Sequence, residues 1–299
     1  MQPTKVAVIG SGAVGTDLLM KVLHGAPGLE MAALIGIDPD SPGLAQAAEL
    51  GIPTSSRGLA GLLAMPHFAE IELVFDATTT GAHRANVIAL AERGKRIVHL
   101  TQSALGVRVV PGVNLDAHVG AGNINVLTGS AQATVPLVAA IVTVTPVLEA
   151  VVDAVVAGAG ARSITRDRIA AVTDTTAHAL TAVGGARSGR ASVSPDRSDP
   201  PRAPVTTLRA AVGELDRRGR AAVTAAVREA ASRVACYSPG FRLTGEVAIE
   251  QVRARTDEVT VGLELTGAGA HLPVHAGNLD LMTAAAVRIA ERVAVSAAR

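Results

Sequence analysis

Six residues near the start of the chain, Gly10-Ser11-Gly12-Ala13-Val14-Gly15, have the spacing of a loop that takes a diphosphate. What the loop needs from its glycines is an absence of side chains. Gly10 allows a tight turn, Gly12 lets the backbone approach the phosphates, and Gly15 lets the following helix pack closely on the preceding strand. The anion would sit at the positive end of that helix. Asp38 stands where the next strand is expected to end. A carboxylate there accepts hydrogen bonds from the adenosine ribose hydroxyls and repels the extra phosphate of NADP, so the combination points to NAD(H). A nucleotide-binding fold that has lost its cofactor would keep the same residues.

Other residues able to take part in chemistry are scattered along the chain. Thr78 and Thr79 lie in the small-residue turn Ala77-Thr78-Thr79-Thr80-Gly81, after a strand, where open parallel sheets bind ligands. His83 opens the next helix and reads as a capping or surface residue. His99, beside Thr101, reads either as a structural residue or as a proton donor near the crevice. His271 and His275 bracket Leu272-Pro273-Val274 and could supply a proton to a C=O or C=N group; surface or structural roles are the plainer reading. Metal ligation by this pair lacks a visible third ligand, so no metal site is expected. The Asn278 amide could hold a nicotinamide carboxamide or cap the last helix. Ser130 has no evident base beside it and reads as a helix cap.

The elements that must position these residues alternate. Residues 5–9 form a continuous β-branched apolar run, the pattern of a strand buried on both faces. A helix is expected over 16–24, a strand over 31–37, helices over 43–50 and 59–65, a strand over 72–76, a helix over 82–93 and a strand over 96–100. The fold class is therefore α/β: a Rossmann dinucleotide-binding domain over residues 1–125, followed by an α+β substrate and dimerisation domain over 126–277. A helix over 133–142 is expected to open the second domain. A final helix (278–297 in the division into domains, 279–295 by its pattern) should carry Leu281, Ala285, Ile289 and Val293 back onto the first domain. Residues 187–233 hold ten arginines against five acids. Their first part reads as loop or extended strand. Residues 207–233 read as helical, with Leu208, Val212, Leu215, Val223 and Val227 as the apolar positions. The arginines form a solvated face or bind an anionic substrate or CoA phosphate.

The bulk composition removes several classes. At 48% apolar the chain is not expected to be disordered, and 299 residues suffice for two cores. Aromatics are only 1%, so Ala, Val and Leu must fill those cores. A net charge of +1 argues against nucleic-acid binding. All but three of the 27 basic residues are arginine, which reads as codon bias. One cysteine, Cys236, excludes an intrachain disulfide and a cysteine metal cluster. No signal peptide is apparent, and the apolar run 135–144 is too short to span a bilayer, so no membrane association and a cytoplasmic location are expected.

Several blocks together resemble the acylating acetaldehyde dehydrogenases. They are the segment 9–17 with Thr16-Asp17-Leu18, Gly36-Ile37-Asp38, Phe75-Asp76-Ala77-Thr78, Val113-Asn114-Leu115, Gln132-Ala133-Thr134, residues 173–176, Gly184-Gly185-Ala186, Pro239-Gly240-Phe241-Arg242-Leu243 and Ala276-Gly277-Asn278-Leu279-Asp280. The resemblance implies NAD, conversion of acetaldehyde and CoA to acetyl-CoA, a homo-oligomer formed through the second domain, and an aldolase partner. Within Leu127-Thr128-Gly129-Ser130-Ala131-Gln132-Ala133-Thr134-Val135-Pro136 the family places a nucleophilic cysteine where this chain has Gly129. Glycine cannot attack an aldehyde or carry an acyl group. Thr206 stands where the family has an Asp that assists the cysteine. Residues 160–166 keep only Thr165 and Arg166 of a family glycine-rich loop. His99 replaces an Asp, and His271 and His275 replace aromatic residues. A shortened segment before residues 262–266 weakens the expectation of an aldolase partner. The leading expectation is therefore an NAD(H)-dependent oxidoreductase acting without thioester chemistry on a small carbonyl or imine substrate. A non-catalytic NAD-binding scaffold and an acylating acetaldehyde dehydrogenase are the alternatives.

Overall fold

The computed structural model describes residues 2–101, 103, 105–156 and 165–297. The first unit runs β1 (Thr4–Ile9), α1 (Ala13–Gly25), β2 (Leu29–Ile35), α2 (Pro42–Glu49), β3 (Thr54–Ser55), α3 (Gly58–Leu63), β4 (Leu73–Asp76), α4 (Thr80–Ala91), β5 (Arg96–His99), β6 (Val107–Val109), α5 (Leu115–His118) and β7 (Asn123–Val126). The second runs α6 (Gly129–Val142), β8 (Val147–Val156), α7 (Arg166–Ala182), β9 (Gly189–Pro195), β10 (Val205–Gly213), α8 (Arg217–Ala235), β11 (Phe241–Leu243), β12 (Ala248–Arg253), β13 (Thr256–Leu265) and α9 (Gly277–Ala297).

The first sheet is parallel, with strand order β3-β2-β1-β4-β5-β7-β6. The order reverses between β1 and β4, and the crevice beyond their carboxyl ends is where such sheets bind nucleotides. Val6, Ala7, Val8 and Ile9 are all buried, because helices cover both faces of β1. On one side Leu18, Leu19 and Val22 of α1 pack with Met282, Ala285, Ile289 and Val293 of α9. On the other, Leu62 of α3 and Leu90 of α4 pack on Ile9, Ile35 and Val74. The expected return of the last helix is thus observed, with one correction. Leu281 turns into the second core, so α9 joins both.

The second sheet is mixed, with order β11-β13-β10-β8-β9 and β12 added beside β13. Here the helical reading of residues 207–233 fails in its first part. Leu208 and Val212 lie on β10, a central strand, and alternate with half-buried Arg209 and Ala211. Positions four apart fall on one face of a helix and also on one face of a strand, and this coincidence misled the reading. α8 begins only at Arg217, and its Val223 and Val227 are core residues as expected. The helices α6, α7 and α8 cover one face of the sheet. The opposite face carries Val151, Val155, Thr207 and Ala211 beside the ion pairs Arg209–Asp153 (2.6 Å) and Arg190–Glu149 (2.8 Å). Among the described residues no helix is long and apolar enough to cross a membrane.

Candidate active site

The glycine loop between β1 and α1 is built as its residue types require. Gly10 has φ +118°, and a Cβ there would come within 2.7 Å of the Ala77 carbonyl oxygen. A Cβ at Gly15 would overlap the Gly10 carbonyl. At Gly12 it would meet no atom within 4 Å, so this glycine leaves open surface and serves no packing need of the protein. Gly12 also caps α1 without a side-chain hydrogen bond, which leaves the helix N-terminus available to an anion. A dinucleotide diphosphate fits this cradle.

Two further glycines shape the loop, and motif spacing does not reveal them. A Cβ at Gly36 would strike the Ser11 hydroxyl, and one at Gly43 would strike the Ser11 carbonyl oxygen. The Ser41 hydroxyl donates to that same carbonyl at 3.0 Å. Strand β2 ends at Ile35, earlier than the expected 37, and Ile37 is 86% exposed. Asp38 is exposed on the loop beyond, and its Oδ1 accepts the Asp40 N–H at 3.0 Å.

The other wall of the crevice rests on Asp76, fully buried at the end of β4. Its carboxylate accepts from the Thr78 N–H (3.0 Å), the Thr78 hydroxyl (2.6 Å), His83 Nδ1 (2.9 Å) and Asn86 Nδ2 (3.0 Å). Burial works to raise this carboxyl, but the bonds from His83, Thr78 and Asn86 together hold it below the usual carboxylate range. His83 is therefore neither a cap nor a surface residue, because α4 turns it inward onto Asp76. Its ring stacks on His99, with centroids 4.0 Å apart. His99 is also fully buried, with Nδ1 facing the Thr101 carbonyl (3.2 Å) and Nε2 facing that of Leu105 (2.9 Å). Burial, reinforced by the neighbouring His83, pushes its imidazole down to about 4. The Thr101 hydroxyl donates to the Thr78 carbonyl at 3.0 Å, tying the two crevice turns together.

The second unit brings the N-terminus of α6 against the start of α9. Helix α6 begins at Gly129, four residues before its expected start, and the Thr128 hydroxyl caps it by accepting the Ala131 N–H at 3.1 Å. Ser130 is thus inside the first turn and buried, not the cap. A Cβ at Gly129 would overlap the carbonyl oxygen of Asn278 and lie 2.7 Å from its carbonyl carbon. Asn278 is buried within the first turn of α9, which begins one residue earlier, at Gly277, so it is not the N-cap either. Thr206 is buried on the helix-covered face of β10. His275 is half-buried in a short 3₁₀ turn, Val274–Ala276. His271 is exposed, and its backbone N–H donates to Asp17. The structure packs His99 against His83, the two rings tilted by 34°. Among the described residues no three His, Cys, Asp or Glu side chains converge as metal ligands. Residues 160–164 of the altered glycine-rich loop lie outside the described residues; Thr165 caps α7 and Arg166 begins it.

Two sequence profiles match the chain. Residues 4–100 match the oxidoreductase family with an NAD-binding Rossmann fold. Residues 129–273 match the dimerisation region of prokaryotic acetaldehyde dehydrogenase. Similarity extends over almost the whole length to acetaldehyde dehydrogenase 2 of Parafrankia sp. (strain EAN1pec), 50% identical, with 97% of each chain covered. Acetaldehyde dehydrogenase 3 of Nocardia farcinica (strain IFM 10152) is 46% identical, covering 98% of this chain and 93% of its own. Acetaldehyde dehydrogenase 2 of Rhodococcus erythropolis (strain PR4 / NBRC 100887) is 44% identical, with 98% of each covered. The chain belongs to the acetaldehyde dehydrogenase family. It is an NAD-binding oxidoreductase of that family, with β1 to β5 inside the Rossmann match and the mixed sheet inside the dimerisation match. Within this acetaldehyde dehydrogenase fold, sequence reasoning gave no role to Asp17, Asp76 or Asn86 and misplaced His83 at the surface. Their signal was available only as polar residues set in otherwise apolar runs, such as Asp76 directly after Leu73-Val74-Phe75.

Proposed function

We propose that this chain is an NAD(H)-dependent oxidoreductase that transforms a small carbonyl or imine compound without forming a covalent enzyme intermediate. The observation that carries the reading is the contact between Gly129 and the Asn278 carbonyl. The position where a nucleophile's Cβ would start is filled by backbone. Ser130 is buried in the first helical turn, and Cys236 is an exposed residue at the far end of α8. The Thr128 hydroxyl at the α6 N-terminus is engaged by the Ala131 N–H and by the Thr176 hydroxyl, which supports a reading without acyl transfer.

Bound NAD(H) would supply or accept the hydride. Gly10, Ser11, Gly12, Ala13, Val14 and Gly15 would hold its diphosphate against the start of α1. Asp38 would accept hydrogen bonds from the ribose hydroxyls and disfavour a 2′-phosphate. Thr78 and Thr79 would line the crevice, and Asn278 would bind the carboxamide through its side chain. His271 or His275 would exchange the substrate proton with solvent. His99 is fully buried with its ring nitrogens facing the Thr101 and Leu105 carbonyls, so we assign it to holding those two backbone groups. On this reading the domains divide at residues 125–126, the protein is a cytoplasmic homodimer, and the open face of the mixed sheet is its interface.

The relatives' names favour a second reading, acylating acetaldehyde dehydrogenase activity. One assay separates the two. NADH absorbance is followed with acetaldehyde, NAD and CoA, and separately with a panel of small carbonyls and imines. Turnover on the panel, with no acetyl-CoA formed from acetaldehyde, is the expected result. Acetyl-CoA formation by the unaltered protein would overturn the proposal. NADH binding with no turnover in either assay would overturn it in favour of a cofactor-binding scaffold.

A further inference from the structure

The buried carboxylate of Asp17 lies in the second turn of α1 and is fully enclosed. It accepts hydrogen bonds from the backbone N–H groups of His271 and Leu272, each at 3.2 Å, and from the Thr283 hydroxyl at 2.5 Å. Lys21, one turn further along α1, donates to Asp17 and also to Asp280 of α9 at 2.7 Å. Asp280 is almost fully buried too, and Lys21 has only 13% of its side chain exposed. Asp17 thus receives four donors from three segments, the full capacity of a carboxylate.

Position in the chain gives this cluster meaning. Asp17 follows the diphosphate loop within the same helix. Its partners at 271, 272 and 283, and Asp280 joined to it through Lys21, flank Asn278 on both sides. The backbone of Asn278 in turn touches Gly129 at the start of α6. One carboxylate therefore fixes the distance between the loop that would hold the diphosphate and the turn that would hold the nicotinamide end.

We propose that Asp17 is a positioning residue that registers the nicotinamide side of the site against the diphosphate loop. The inference rests on the NAD(H) reading above. Removing the clamp should leave the adenine half of the cofactor bound as before, since that half meets only the first unit. The nicotinamide half should lose its seat. A plain structural strut would behave differently, lowering the unfolding midpoint and weakening both halves together or neither.

The test compares NADH with ADP-ribose, which lacks the nicotinamide, by calorimetry on the full chain. In the unaltered protein both should bind, NADH more tightly. In Asp17→Asn and Thr283→Val, ADP-ribose affinity should stay within about twofold while NADH weakens by about tenfold, the scale of one well-formed polar contact. Thr283→Ser should restore NADH affinity. Thr283→Val is nearly isosteric, so it decides the matter if Asp17→Asn fails to fold. An unchanged ratio of the two affinities in the folded variants overturns the inference, as does equal binding of NADH and ADP-ribose by the unaltered protein. Failure of the unaltered protein to bind ADP-ribose at all overturns the cofactor reading beneath it.

Discussion

At the scale of single residues, the decisive feature is a side chain that cannot be added. A Cβ at Gly129 would land on the Asn278 backbone, which is itself held by α9. Gly129→Cys is therefore expected to lower stability by about 1–3 kcal/mol, the usual cost of overpacking a filled site. It should produce no acetyl-CoA, even combined with Thr206→Asp. Thermal unfolding and an acetyl-CoA assay check both parts; a stable, acylating variant would mean that the site is open to the thiol after all. His99 supports a prediction about pH. Its folded-state value of about 4 lies below the ordinary 6.5, so its contribution is complete above pH 6.5 and fades as pH falls toward 4. The loss amounts to at most about 3 kcal/mol. His99→Asn should flatten stability across that window, as read from urea unfolding at several pH values. The geometry of the glycine loop was legible beforehand. Gly10, Gly12, Gly15 and Asp38 announce themselves by spacing, because backbone approach leaves a pattern of missing side chains. Asp17 and His83 did not, because a buried polar residue is defined by partners that folding brings to it, Thr283 from far along the chain and Asp76 from across the turn between β4 and α4.

At the scale of elements, β3, β6 and β7, short and carrying Thr54, Ser55, Arg108, Asn123 and Asn125, escaped the sequence reading, whereas β1, β2, β4 and β5 were readable because burial makes each largely apolar. Strand β10 was not. Its alternation of Leu208, Ala210 and Val212 with half-buried residues contains four-residue spacings that a helix also produces, and only pairing with β8 and β13 resolves the choice. The last helix was legible as amphipathic, but its division between two cores was hidden, since periodicity gives a face and not a partner. Ile289 is fully buried in the core that α9 shares with α1. Ile289→Ala should cost about 2–5 kcal/mol, seen as a lower urea midpoint. A cost below 1 kcal/mol would mean that α9 packs loosely on the first unit.

At the scale of the whole molecule, helices cover one face of the mixed sheet among the described residues. Its other face offers Val151, Val155 and Ala211 among paired charges, and the matching profile describes this region as a dimerisation domain. Val151→Asp should convert a dimer into a monomer on size-exclusion chromatography with light scattering, without loss of NADH binding by each chain. A monomeric unaltered protein would contradict this interface. The dual attachment of α9 also bears on how the molecule is made. A ribosome completes residues 1–276 before this helix exists, so both cores emerge with an apolar flank uncovered. Folding cannot close locally as synthesis proceeds; it must wait for Leu281 to enter one core and Ile289 the other. Chains interrupted before α9 would thus leave both cores without the contacts that Leu281 and Ile289 supply.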